Sequence, residues 1–317
     1  MKRRTLLAAS LALPAILAGR RAPAAEDKLT VLLEWFVNPD HAPLVLAEAL
    51  GLFAAQGLVV ELVPPADPSA PPRLVAAGQA DVAVHYQPNL VLDVAAGLPL
   101  KRFGTLVASP LNTLIVLKDG PVKSLADLKG RRIGYSVSGF EDALVGQMLA
   151  SVGLSASDVE LVNVNFSLTP ALLSGQVDAT VGGFRNFELT QMAIEGREGL
   201  AFLPEEHGVP AYDELIFVAH ADRTNDPRLP RFLAAVDEAT RRLRADPAEG
   251  WRLFLAAHPD LDDRLNRQAF ADTLPLFAQD PARLDRERYA KLSAFLEARG
   301  LVDEAPGVEA LAVELGA

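Results

Sequence analysis

From residue 27 onward, short runs of apolar and β-branched residues alternate with stretches whose apolar positions recur at helical spacing. The run LTVLL at 29–33 is almost unbroken in its hydrophobicity, as expected of a strand covered on both faces. A helical pattern follows at 42–55, with Gly57 as its stop. The same reading predicts strands at 59–63, 81–85, 102–107, 114–117, 132–135, 159–163, 179–181 and 215–218. It predicts helices at 73–77, 88–96, 125–129, 143–152, 169–173 and 187–195, and a mostly helical remainder rich in Ala, Leu and Arg. Strands alternating with helices build α/β units on parallel sheets.

One internal echo marks the chain. RLVAAGQADVAV at 73–84 and ALLSGQVDATV at 171–181 share Gly, Gln, Asp and Val at matching places, 97 residues apart. Each copy reads as a helix closed by glycine, one polar turn and a buried strand. Any α/β chain repeats that unit, so the echo's main value is geometric. Ligands of open α/β sheets sit beyond the carboxyl ends of the strands. Two similar lobes face to face would therefore both offer their strand-end turns to one cleft.

Those turns are unusual in content. After the first strand comes EWFVNPDH at 34–41, and after the strand ending near His85 comes HYQPN; the second half offers SVSGFE at 136–141, Asn165-Phe166 and GGFRNFE at 182–188. Aromatic residues make up only 6% of the chain, yet Trp35, Phe36, Tyr86, Phe140, Phe166 and Phe184 all fall here. A flat ring ligand explains the concentration, with rings stacking on its face and amides and carboxylates reading its edge. The candidate contacts are Trp35, Asn38, His41, Tyr86, Phe140, Phe184, Asn186 and Glu188. Structural roles compete for several of them. Trp35 and Phe36 are neighbours on a strand end and should point opposite ways, one into the core; His41 could cap a helix, Tyr86 could pack at an edge, and a first-turn Glu188 is favoured by the helix dipole in any case. SVSGF before a helix resembles a phosphate cradle, but Glu141 and Asp142 put negative charge there and disfavour an anion.

The first 25 residues stand apart: a basic start, an apolar run at 6–18 and the small-residue ending Ala22-Pro23-Ala24 read as a cleaved export signal. Paired Arg3-Arg4 and an alanine-rich apolar run favour the twin-arginine route. The run is short against the roughly 20 residues that span a bilayer. Without Lys2, Arg3, Arg4, Arg20 and Arg21 the chain keeps 25 basic and 41 acidic side chains, a net charge of −16. That balance repels phosphate backbones, so no nucleic-acid partner is expected. The chain has no cysteine, which excludes disulfides, thiolate nucleophiles and iron–sulfur ligation. The five histidines are scattered, and no nucleophile elbow or HExxH occurs, so no catalytic residue, metal or cofactor is assigned.

The motifs AEALGLFAAQGLVVELV, GQADVAV, GQVDATVGG and KSLADLKGRRIGY together resemble periplasmic substrate-binding proteins of ABC importers. More narrowly, LLEWFVNPDHAPLVLAEALGLF, IGYSVSGFED and GGFRNFELTQ are similar to the branch related to the fungal enzyme that makes the thiamine pyrimidine. The likeness spans roughly residues 29–300. It implies a type II binding-protein fold with two α/β lobes, each a mostly parallel sheet flanked by helices, joined by two crossover strands near 105–116 and 212–218. Residues 26–110 with 214–317 would form lobe one, and 111–213 lobe two. The resemblance implies a non-enzymatic, monomeric periplasmic protein that captures a thiamine pyrimidine precursor, hydroxymethylpyrimidine or its formylaminomethyl relative. It would pass this cargo to an ABC permease and ATPase. Trp35, Asn38 and His41 fall on the pocket-lining motif, and Glu188 on the Gly-Gly-aromatic-x-Asn-x-Glu turn. Where the enzyme carries a lysine this chain has His85, where it carries a pocket histidine this chain has Asn89, and its cysteine-rich iron motif has no counterpart. Riboflavin or another flat heterocycle is an alternative cargo; an exported relative of the synthase and a ligand-sensing domain are alternatives of other classes.

Overall fold

The computed structural model describes residues 27–315; the export signal expected at 1–25 lies outside them. The first lobe opens with β1 (Asp27–Leu32), α1 (Ala42–Ala49), α2 (Leu52–Ala55), β2 (Leu58–Val63), α3 (Pro71–Ala76), β3 (Val82–His85), α4 (Gln87–Ala95) and β4 (Leu100–Val107). The chain crosses into a second sheet with β5 (Asn112–Leu117), β6 (Arg132–Tyr135), α5 (Phe140–Ala150), β7 (Glu160–Asn163), α6 (Leu168–Leu173), β8 (Ala179–Phe184), α7 (Glu188–Ile194) and β9 (Gly199–Phe202). It returns through β10 (Leu215–His220). Then follow α8 (Arg228–Ala245), α9 (Pro247–Ala257), α10 (Arg264–Thr273), α11 (Arg286–Ala298) and α12 (Val308–Leu311).

The strand orders are β2-β1-β3-β10-β4 and β7-β6-β8-β5-β9. In each sheet four strands share a direction and one opposes them: β10 is antiparallel to β3 and β4, and β5 to β8 and β9. The opposed strand is in both cases the one that has just crossed from the other sheet. The sheets are therefore mixed, because two of their strands are delivered by crossings rather than by right-handed helical connections. The echoed segments take the same third place, as β3 and β8. Their aspartates also do the same work: Asp81 Oδ2 accepts the Thr30 N–H at 2.9 Å and Asp178 Oδ2 the Arg132 N–H at 3.0 Å, each pinning the neighbouring parallel strand.

Two expectations need correction. The helix expected over 42–55 is broken after Ala49, because Gly51 takes a left-handed conformation (φ 65°) that an α-helix cannot continue through. The short edge strand β9 was not predicted; its four half-buried residues are too few to carry a period.

Central strands are buried on both faces, as β3 and all but the last residue of β10 illustrate, whereas edge strand β2 begins in alternation. Leu29, Val31 and Leu33 pack in one core with Phe103, Phe217, Phe232 and Phe254. Another core runs through both lobes, joining Leu90, Tyr289 and Leu292 of the first to Val116, Ile133 and Leu144 of the second. Each large apolar side chain so buried contributes roughly 1.5–3 kcal/mol. Among the described residues no helix is long and apolar enough to cross a membrane.

Candidate functional site

Between the facing strand ends lies a cavity whose empty space, open mouth included, is about 660 Å³. The first lobe lines it with Glu34, Trp35, Asn38, Asp40, Tyr86 and Asn89, and the second with Asn112, Ser136, Phe140, Glu141, Leu168, Gly182, Phe184, Phe187 and Glu188. Glu214, at the return crossing, completes the wall.

The first-lobe wall is held by its own turn. Asn38 is extended and caps a single 3-10 turn, Pro39–His41, its Oδ1 accepting the Asp40 N–H at 2.8 Å. His41 Nδ1 accepts the Asn38 N–H at 3.2 Å, which leaves Nε2 as the donor to Glu34, 3.0 Å from both carboxylate oxygens. The imidazole thus fixes Glu34 from behind. Asp40 Oδ1 receives the Asn186 amide at 2.8 Å and the Thr273 hydroxyl at 2.6 Å, so this acid is held by both lobes at once.

The second-lobe wall depends on two glycines. Gly182 has φ +92°, and a Cβ there would stand 3.1 Å from Glu141 Oε1; a Cβ on Gly183 would stand 3.3 Å from Glu188 Cγ. Their bare backbone lets both carboxylates close on the end of β8. Glu188 Oε2 accepts the Phe184 N–H at 2.6 Å. Asn112 Oδ1 accepts the Gly182 N–H at 3.1 Å, and the Glu214 carboxylate accepts the Leu111 and Asn112 N–H groups, tying the two crossings together beside the cavity.

Among the described residues, five carboxylates line this space and no Lys, Arg or His does. Burial pushes the Glu188 and Glu214 carboxyls up to about 7, against the backbone N–H groups that favour ionisation, and pushes Asp40 up to about 6 against Thr273, His41 and Asn186. Burial, reinforced by Glu34 and the other nearby acids, also drives the Tyr86 phenol well above its usual range, so it stays neutral. At neutral pH the cavity is poised to accept a cation or a cluster of N–H donors, and to reject an anion.

Of the predicted contacts, the structure brings Trp35, Asn38, Tyr86, Phe140, Phe184 and Glu188 around one cavity. His41 and Asn186 do not reach it: both are buried behind it, orienting Glu34 and Asp40 respectively. Neither Trp35 nor Phe36 is in the core. Trp35 faces the cavity while Phe36 is 51% exposed at the rim, where both meet Phe166 of the other lobe at centroid distances of 4.6 and 4.5 Å. His85 turns away to bond Asp93 Oδ2 at 3.0 Å. The sequence reading missed Asn112 and Glu214, which carry no motif; the polar Asp213-Glu214 pair opening an apolar strand was the available signal.

Residues 38–250 match the protein family described as "NMT1/THI5 like". A Haemophilus influenzae protein named "Putative thiamine biosynthesis protein" is 51% identical over 292 residues, covering 92% of this chain and 93% of its own. A Halalkalibacterium halodurans protein named "Formylaminopyrimidine-binding protein" is 34% identical over 194 residues, 61% of this chain and 59% of its own. Among solved structures, the alkanesulfonate-binding protein SsuA from Xanthomonas axonopodis pv. citri bound to MOPS superposes with a TM-score of 0.73 over 92% of this chain and 99% of that one, at 18% identity, a likeness of fold alone.

Proposed function

The chain belongs to the NMT1/THI5-like family, and from that membership and the acid-lined cleft we propose that it is the substrate-binding component of an ABC importer for a thiamine pyrimidine precursor. In this reading it is exported by its first 25 residues, binds the pyrimidine in the periplasm and hands it to a permease and ATPase. The moving bodies are residues 26–110 with 214–317, and 111–213, which close over the ligand by a hinge motion.

The observation that carries the reading is the pairing of aromatic walls with five carboxylates and no basic side chain. An aminopyrimidine presents a flat ring, an exocyclic amine and a ring nitrogen that can hold a proton. Glu188, oriented by the Phe184 N–H, lines the cavity where its carboxylate can meet that edge in a charge-assisted contact. Trp35 and Tyr86 cover the ring faces, Asn38, Phe140 and Phe184 complete the walls, and His41 and Asn186 act through Glu34 and Asp40. The same acids argue against a sulfonate or a phosphate ester as cargo. His85, standing where the synthase carries a lysine and bonded instead to Asp93, weighs against a synthase relative.

The test is mass spectrometry of the ligand released on denaturation, followed by calorimetric titration of the stripped protein with hydroxymethyl- and formylaminomethyl-pyrimidine. A released aminopyrimidine and binding of either compound support the reading. Release of a flavin or a sulfonate, with no heat from either pyrimidine, would refute it.

A further inference from the structure

A smaller chamber, with about 380 Å³ of empty space when its open mouth is included, adjoins the acid-lined cavity, and Glu34, Tyr86, Asn89 and Val137 line both. Its remaining wall includes Ser69, Arg73, His85, Asp93 and Ser138. Unlike its neighbour, it carries a basic side chain beside its acids. Glu34 is already held by His41 and Asp93 by His85, each at 3.0 Å. Among the described residues Arg73 is the only Lys or Arg on either wall, and its guanidinium forms no hydrogen bond or ion pair. At the junction Asn89 Nδ2 donates to Ser138 O of the other lobe at 3.3 Å, so the boundary between the chambers is also a seam between the lobes.

We propose that the ligand occupies both chambers: the aminopyrimidine ring lies among the carboxylates, and its side arm passes Asn89 to present a hydrogen-bond acceptor to Arg73. This rests on the function proposed above and deepens it. It makes Arg73 a specificity-determining residue and selects an arm ending in an amide carbonyl. A hydroxymethyl arm lacks the carbonyl that the guanidinium would hold, and an arm ending in an ammonium meets a like charge there. A guanidinium offers N–H donors in a fixed fork that suits a carbonyl oxygen, and withdrawing such a charge-assisted contact has a measurable cost.

Titration calorimetry with three probes sharing one ring tests this: 4-amino-2-methylpyrimidines bearing formylaminomethyl, hydroxymethyl or aminomethyl at position 5. The formylaminomethyl compound should bind about tenfold more tightly than the hydroxymethyl one, and the aminomethyl compound weakest. Arg73→Ala should bring the first two affinities together, and Arg73→Lys should keep part of the gap. Arg73 is exposed, so these variants are expected to fold. Equal binding of the first two probes by the unaltered protein, or an undiminished gap in Arg73→Ala, would overturn this inference while leaving the ring assignment standing. Binding of none of the three would overturn both.

Discussion

Asn186 Nδ2, from the second lobe, lies 2.8 Å from Asp40 Oδ1, from the first, with both side chains buried. This bond crosses the cleft beside the cavity and so exists only when the lobes are together. Replacing Asn186 with Leu removes it and leaves a buried carboxylate one donor short, a loss of roughly 1–3 kcal/mol. Ligand affinity should fall about tenfold or more, and small-angle scattering should show the ligand-free variant more extended than the unaltered protein.

Glu188 separates charge from hydrogen bonding. Glu188→Gln keeps an acceptor and a donor for the ring edge but loses the charge, whereas Glu188→Leu loses both. Affinity for the pyrimidine should fall roughly tenfold in the first and on the order of a hundredfold in the second, measured by titration calorimetry.

The raised carboxyls predict how stability follows pH. Asp40 titrates at about 6 and Glu188 and Glu214 at about 7, all above their unfolded values, so the folded protein holds more protons between pH 5 and pH 8. Their contribution is fully present below the unfolded carboxyl range and is lost as pH rises through 6 and 7. The ligand-free protein should be more stable at pH 5.5 than at pH 8 by on the order of 3 kcal/mol in urea denaturation. Glu214→Gln should flatten that slope, and a slope of opposite sign would refute the assignment.

Only two tryptophans occur, Trp35 on the cavity wall and Trp251 packed on Phe254 and Phe270 in the first lobe. Ligand binding should change the emission of Trp35 alone. Trp251→Phe should retain the whole fluorescence response and Trp35→Phe should lose it, with affinity about tenfold weaker from lost stacking.

How far the site could be read from the chain follows from what a linear pattern carries. The turns were legible because an apolar run that stops at Trp35, Tyr86 or Phe184 and enters amides and acids is a local signal. The two-lobed layout was legible through the Asp81 and Asp178 echo, which the sheets place alike. Burial was not legible: nothing in NPDH or FRNFE distinguishes a side chain that faces the ligand from one that braces a neighbour, and His41 and Asn186 are braces. Glu214 and Asn112 were missed for a different reason. They meet through hydrogen bonds between residues about a hundred positions apart, and only the order of the strands brings the two crossings side by side.

The opposed strands β5 and β10 have a consequence for biosynthesis. The first sheet needs β10 between β3 and β4, yet more than a hundred residues separate β4 from it. While the ribosome makes that stretch, β3 and β4 stand apart with unsatisfied backbone edges, which neighbouring nascent chains can pair with. Lobe two, contiguous in the chain, can complete itself in the meantime. The first part of the protein to be translated is therefore the last to mature, and a holding chaperone would find its binding surface there.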